Sequence, residues 1–378
     1  MSNIPKLRFP EFTDAWEKCK LGEVAEFING KAYKQEELLN EGKYKVVRVG
    51  NFNTNEHWYY SNLELENNKY MVAGDLLYLW ATDFGPKFWA GEKAIFHYHI
   101  WKLELNYKII DKNYLYVWLE TDKEKIKQST NGTTMVHVTK STMEKRVLSF
   151  PTLPEQQKIG ALFRRLDRLI TLHKRKWDDV ILLKRALLQK MFPKNGSDFP
   201  EIRFPEFTDA WEKCKLENFV EITTGKLDAN AMVNDGKYDF YTSGIKKFKI
   251  NIPAFTGPAI TIAGNGATVG FMHLADGEFN AYQRTYVLTK FSNSIREFLF
   301  YEIGIKLPRK ISAEARTGNI PYIVMDMLTN LDVFTPTVPE QQKIGNLFKQ
   351  LDRLITLHKR QHEHYQLLKK ALLQQMFV

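Results

Sequence analysis

The segment Thr152 to Phe192 returns almost unchanged as Thr337 to Phe377, 185 positions later. Each copy opens like a helix. In Thr152-Leu-Pro-Glu155 the threonine can cap free N–H groups, Pro154 is tolerated in the first turn, and Glu155 completes a capping box. Thr337-Val-Pro-Glu340 repeats the pattern. Beyond the caps, apolar residues recur in sevens at Ile159, Leu166, Val180 and Leu187, with Leu162, Phe163, Leu169, Ile170, Trp177, Leu183 and Met191 beside them. The second copy places Ile344, Leu351, Tyr365 and Leu372 at the matching steps, flanked by Leu347, Phe348, Leu354, Ile355, Leu368 and Met376. The period is helical, and each helix is expected to run roughly 57 Å at about 1.5 Å per residue. A helix that long with one apolar seam is unstable alone, and its nearest equal partner is its own copy. An intramolecular coiled-coil pair is therefore expected. His173 and His358 take the same mid-seam position. A polar seam residue can fix register, and a satisfied core histidine is the simpler alternative.

A second block repeats as well. Arg8 to Leu21 reappears letter for letter as Arg203 to Leu216, 195 positions on. The chain thus reads entry segment, body, helix, then the same again, with bodies that differ by ten residues. The expected divisions are 1–151, 152–192, 193–336 and 337–378, and Pro193-Lys-Asn-Gly-Ser-Asp198 is a linker by composition. The bodies share only a skeleton. The strand starts at Leu21–Gly30 and Leu216–Gly225 match, as do the turns Asn40–Tyr44 and Asn234–Tyr238. Runs rich in β-formers follow at Tyr44–Val49, Asp75–Trp80, Ala94–Leu105, Ala259–Ala263 and Tyr282–Thr289, and helices are expected at Lys112–Gln128 and Ser294–Leu307. Each body reads as a mixed α/β domain. The helix pair is expected to be antiparallel, which returns the C-terminus near residues 1–20 and makes the whole a pseudo-two-fold tandem repeat.

The formal net charge of +10 suggests a polyanionic partner, and its location says more than its sum. Glu155–Met191 holds ten Lys/Arg against four Asp/Glu, and Glu340–Met376 seven against three, which leaves 37 of each sign elsewhere. All the excess rides on the helices. Solvated helix faces would account for it, as would an acidic partner surface or phosphates near Lys174-Arg175-Lys176. No run approaches the eighteen apolar residues of a membrane helix, and the first ten residues lack a secretory core, so a cytoplasmic address is expected. Cys19 and Cys214 sit in identical contexts, which repetition explains without a disulfide or a metal.

Catalytic signatures are missing or out of context. Asn319-Ile-Pro-Tyr322 resembles superficially the Asn-Pro-Pro-Tyr stretch with which amino-methyltransferases hold a flipped adenine. Its second residue differs, and no upstream glycine-rich strand-turn-helix is present to bind a methyl donor. Gly264–Gly270 follows a strand but precedes more strand, and it lacks a P-loop lysine, so it reads as a tight loop over a groove. The acid-Gly-Lys triplets at Glu41–Lys43 and Asp235–Lys237 fall in turns, and the histidines, His362 and His364 included, show no metal spacing.

The two Pro-Glu-Gln-Gln-Lys-Ile-Gly openings (154–160 and 339–345), the Leu-Asp-Arg-Leu-Ile-Thr-Leu-His-Lys-Arg seams (166–175 and 351–360) and the Lys-Leu-Gly-Glu-Val entry after Trp16 resemble the DNA specificity subunit of type I restriction-modification systems. Gly74-Asp75-Leu-Leu and Asn131-Gly-Thr-Thr extend the resemblance across the chain, and Leu216-Glu217 departs from it by lacking the glycine of Leu21-Gly22. The resemblance implies a non-catalytic subunit with two target-recognition domains, each reading half of a bipartite double-stranded DNA site. It implies two helices that space the halves and dock two methyltransferase subunits. Those partners would carry S-adenosylmethionine, this chain would hold no cofactor, and restriction-translocase subunits would join for cleavage. Half-site readers need polar side chains on loops, with aromatics beside them. The candidates in the first body are Lys31, Tyr33, Arg48, Asn51, Asn53, Thr82, Lys87, Asn131, Thr133, Thr134 and His137. In the second they are Lys226, Ser243, Lys246, Lys247, Asn265, Thr268, Gln283, Arg284, Arg309, Lys310, Arg316 and Asn319. Two other classes remain open: a self-contained adenine methyltransferase using Asn319–Tyr322, and a scaffold whose heads bind proteins.

Overall fold

The computed structural model describes residues 4–53, 55–81, 84–129, 138–194, 196–314 and 321–377. The chain forms two compact units, one of residues 1–173 with 361–378 and the other of residues 174–360. Both long helices, α4 (Leu153–Lys190) and α7 (Val338–Met376), are continuous, so each contributes one part to either unit.

In the first unit, β1 (Glu17–Lys20) pairs antiparallel with β10 (Val147–Phe150), the strand that leads into α4. One antiparallel sheet has the order β2 (Ala25–Asn29), β9 (Ile100–Leu105), β6 (Leu76–Leu79), β7 (Gly85–Phe88). A second runs β4 (Tyr59–Ser61), β3 (Tyr44–Val47), β8 (Ala94–Phe96), β5 (Tyr70–Met71), with β3 and β8 parallel. Short helices α1 (Leu21–Val24) and α3 (Lys140–Glu144) and the longer α2 (Lys112–Ser129) complete the body. The run Ala94–Leu105, which alternation suggests as one strand, is two strands broken by a turn at His97–His99.

The second unit repeats this topology strand for strand. β11 (Glu212–Lys215) pairs with β20 (Asp332–Thr335). The antiparallel sheet is β12 (Glu221–Thr224), β19 (Thr285–Thr289), β16 (Ala259–Ala263), β17 (Met272–Ala275). The mixed sheet is β14 (Phe248–Ile250), β13 (Tyr238–Tyr241), β18 (Glu278–Ala281), β15 (Phe255–Thr256), with β13 and β18 parallel. α5 (Arg296–Glu314) takes the place of α2, and α6 (Met325–Thr329) that of α3. The difference in body length falls between the third and sixth strands, where the first body spends residues 48–75 and the second only 242–258.

The two repeated sequence blocks are repeated because they touch. Glu155, expected to reach back to the backbone as a capping-box member, is instead fully buried and takes Arg8 on both carboxylate oxygens, at 2.8 and 2.7 Å. Glu340 does the same with Arg203 at the same distances. The guanidinium fork offers two charge-assisted bonds, where a backbone N–H offers one. Lys158 pairs with Glu11 and Lys343 with Glu206. Gln156 spans the carbonyls of Ile109 and Pro151 and the N–H of Asp111, and Gln341 spans Asn293, Pro336 and Ile295 in the same way. A Cβ on Gly160 would stand 2.8 Å from that of Asn113, and one on Gly345 3.1 Å from that of Glu297.

Within the first unit, the start of α4 meets the end of α7. Asp167 binds Lys369 at 2.5 Å, and His173 stacks on Tyr365 at 5.5 Å. Within the second, Lys184 binds Asp352 at 2.5 Å. One helix descends in number as the other rises, so the pairing is antiparallel, and the two ion pairs are the same pair with the copies exchanged. The chain end returns to the entry segment as expected: Leu7 N–H donates to Gln375 O at 2.9 Å, and Phe377 packs on Trp16 and Tyr114. In the second unit Ile202 N–H donates to Lys190 O at 2.9 Å, and Phe192 packs on Trp211 and Phe298. Ile159 and Leu166 are buried in the first core, where Leu372 and Met376 join them. Ile344 and Leu351 are buried in the second, with Val180 and Leu187 against them. His358 is half-buried. Three residues expected beside the seam, Leu183, Leu354 and Leu368, are exposed, because two facing helices bury a narrow stripe and the flanking positions rotate outward.

Candidate nucleic-acid interface

Four segments converge at one end of each body, and a glycine explains how. Gly30 ends β2 so close to the β8–β9 turn that a Cβ would lie 2.3 Å from the Phe96 carbonyl and 2.4 Å from that of His97. Gly225 is tighter still, 1.9 Å from the Ala281 carbonyl. Only glycine permits that approach. Tyr98 N–H donates to Lys31 O (3.1 Å), His97 N–H to Val47 O (2.9 Å) and Trp80 N–H to His99 O (3.2 Å). Gln283 N–H donates to Leu227 O (2.8 Å), Tyr282 N–H to Tyr241 O (2.8 Å) and Gly264 N–H to Arg284 O (2.9 Å). The turn His97-Tyr98-His99 is therefore the counterpart of Tyr282-Gln283-Arg284, and Trp80 that of Gly264.

The same four loops carry different chemistry in the two bodies. In the first, Trp80 meets His99 edge-on at 4.8 Å and Tyr98 at 5.9 Å, His97 lies 4.8 Å from His99, and Tyr33 stacks over His97 at 6.5 Å. Burial, helped by the charges of His99 and Arg48, lowers the His97 pKa to about 4, so its ring is neutral near pH 7 and can both donate and accept. Arg48 lies over the Tyr59 ring at 4.2 Å, and Lys31 holds both Glu37 oxygens at 2.8 Å. The Asn51 amide is spent on its own loop: it accepts from Arg48 N–H and donates to the Asn55 and His57 carbonyls. Asn53 closes that loop, and Lys87 lies inside β7 opposite Leu77.

In the second body, Ser243 donates to Asn265 Oδ1 at 2.6 Å, and Thr268 donates to the Ser243 carbonyl. Lys246 lies over Phe248 at 5.6 Å and Lys247 over Tyr241 at 5.1 Å, while Lys226, Gln283 and Arg284 are exposed. The Gly264–Gly270 loop is the tight turn expected, with Gly266 and Gly270 both at positive φ. Arg309 and Lys310 belong to α5 instead; Lys310 donates to Asn330 O at 3.1 Å, and Arg309 lines a pocket with Lys184 and Phe192. Thr82, Asn131, Thr133, Thr134, His137, Arg316 and Asn319 lie outside the described residues. Trp80, His97, Tyr98 and His99 are absent from the sequence-based candidates, because Asp75–Trp80 and Ala94–Leu105 each read as one strand rather than as strand and turn. Matching Gly30 to Gly225 is the signal that reveals them.

Comparison with known proteins decides the class. A family model described as the type I restriction modification DNA specificity domain matches twice, over residues 13–182 and 208–364. The chain belongs to this specificity family. The MjaVIII specificity subunit of Methanocaldococcus jannaschii is 25% identical, with 97% of this chain and 92% of that protein covered. The EcoDI specificity subunit of Escherichia coli is 37% identical over 145 residues, 38% of this chain and 31% of that protein. The crystal structure of a type I restriction-modification S subunit from M. genitalium superposes with a TM-score of 0.71 over 99% of both chains at 17% identity, which supports the fold.

Both specificity-domain matches span all four converging loops of their body, and each ends inside a long helix. Among the described residues of this family member, no group of His, Cys, Asp and Glu could hold a metal ion, and no helix is long and apolar enough to cross a membrane. Tyr322 is exposed and its backbone bridges Asn265, so it belongs to the loop cluster. Cys19 and Cys214 are free thiols at equivalent places in β1 and β11.

Proposed function

We propose that the chain is the DNA specificity subunit of a type I restriction-modification complex, each body reading one half of a bipartite double-stranded DNA site through its four converging loops. The observation that carries this is the contrast between identical frames and dissimilar loops. The entry segments, helix openings and strand orders match, while the converging loops carry Trp80, His97, Tyr98 and His99 in one body and Ser243, Asn265, Gln283 and Arg284 in the other. Base edges differ in their donor and acceptor patterns, so two half-sites call for two unlike sets of side chains on one scaffold. The long helices space the half-sites and dock two methyltransferase subunits. The methyl transfer and its S-adenosylmethionine reside in those partners, restriction-translocase subunits join for cleavage, and the chain itself supplies recognition in the cytoplasm.

Single-molecule sequencing of methylated adenine, in cells carrying this chain with its neighbouring methyltransferase and in cells lacking only this chain, tests the proposal. A bipartite methylated motif should vanish with the chain; an unchanged methylome would reject it. In the same assay Tyr98→Ala with His99→Ala should relax or abolish one half-site and leave the other intact, and loss of both together would mean that these residues do not read one half.

A further inference from the structure

The two units diverge at one more place, away from the loop ends. In the first unit, a groove of about 590 Å³ opens between α2 and the start of α4, walled by Phe88, Trp89 and Tyr116 and bordered by Arg164 and Asp167. Phe88 and Tyr116 stack at 4.8 Å to make its apolar side. Arg164 is exposed and has no ion pair or hydrogen bond among the described residues. The glycine contacts fix the equivalences: Gly160 touches Asn113 and Tyr114 where Gly345 touches Glu297 and Phe298. Along the same helices, Val117 therefore corresponds to Tyr301, Arg164 to Lys349 and Asp167 to Asp352.

The second unit fills the equivalent place with its own side chains. Tyr301 donates its hydroxyl to Asp352 Oδ2 at 2.7 Å and packs on Phe348 at 5.0 Å. Glu297 takes Lys349 at 3.2 Å and Arg296 at 3.1 Å. In the first unit valine and asparagine replace that tyrosine and glutamate, so the volume is open and the cation at position 164 lacks its carboxylate. The filled copy displays what the open copy fits.

We propose that the groove of the first unit receives a segment of one methyltransferase subunit that presents an aromatic hydroxyl, directed at Asp167, and a carboxylate, directed at Arg164. The partner's identity rests on the function proposed above. The two methyltransferase subunits then dock at unequal sites, one gripped through this groove and one against a surface the chain has closed itself. Interface binding energy concentrates on aromatic anchors that fill desolvated pockets.

The test is calorimetric titration of purified methyltransferase subunit onto the full chain, with native mass spectrometry for stoichiometry. The wild-type chain should show two sites of different affinity. Asn113→Glu with Val117→Tyr, which gives the first unit the residues of the second, should weaken one site at least ten-fold and spare the other, with a thermal midpoint no lower than wild type. Arg164→Ala, an exposed change that does not threaten the fold, should weaken the same site about ten-fold. Wild-type affinities at both sites in both variants would overturn the groove assignment while leaving the specificity function standing. A wild-type chain that binds no methyltransferase at all would instead reject the proposed function, and the groove's occupant with it.

Discussion

Replacing Arg8 by alanine should cost the first unit about 3–5 kcal/mol, the usual penalty for stranding a buried charge. Glu155 is fully buried and the Arg8 side chain only 10% exposed, so no solvent is at hand to replace the lost partner. The carboxylate would keep its place under the entry segment without its two bonds. Urea unfolding would register the loss, with hydrogen exchange accelerated at the first turns of α4. Arg203→Ala should cost the second unit about as much, because Glu340 is equally buried and held at the same distances. Replacing both members of a pair with apolar residues of similar volume should cost far less than removing the arginine alone. A loss under about 1 kcal/mol from Arg8→Ala would show that the entry segment is not clamped by this pair.

A second large effect is expected from pH. Glu302 lies buried on α5, and burial raises its carboxyl pKa to about 7 against the opposing pull of Lys306. Its Oε1 accepts from Phe334 N–H at 3.0 Å, while Oε2 has no partner among the described residues. The folded state therefore holds the proton more tightly than the unfolded chain, whose ordinary value is 4.5. Stability from this group is full below about pH 4.5, is lost as pH rises to about 7, and is flat beyond, a total on the order of 3 kcal/mol. Glu302→Gln should abolish that slope and leave the variant more stable than wild type at pH 8, as read from unfolding midpoints across the range. A wild-type profile flat between pH 5 and 7 would show that the carboxyl finds water or a charge in the folded state. The equivalent position on α2 is Trp118, so the effect belongs to the second unit alone.

Much of the architecture was legible because it was written twice. The seven-residue recurrence and the duplicated Pro-Glu-Gln-Gln-Lys-Ile-Gly announce two long helices, and the observed bounds fall within two residues of the expected ones. Helix α2 was legible in the same way, since its period survives local reading. The turn at His97–His99 was not, because a chain that bends between two strands can keep its alternation on both sides. Nor were the partners of Glu155, which look like a local cap until Arg8 is brought across 147 positions.

The sequence by itself determined the repeat, the helical period and the division into shared frame and private loops. Each of these is a statement about spacing along one chain, where rise per residue and hydrophobic period leave little freedom. Only the tertiary structure decided which side chains meet: that Arg8 seals Glu155, that Gly30 lets the His97–His99 turn join Trp80 where the four loops converge, and that Tyr301 fills what Val117 leaves open. Those outcomes depend on contacts between residues far apart in the chain, and no local period encodes which distant atom will occupy a given volume.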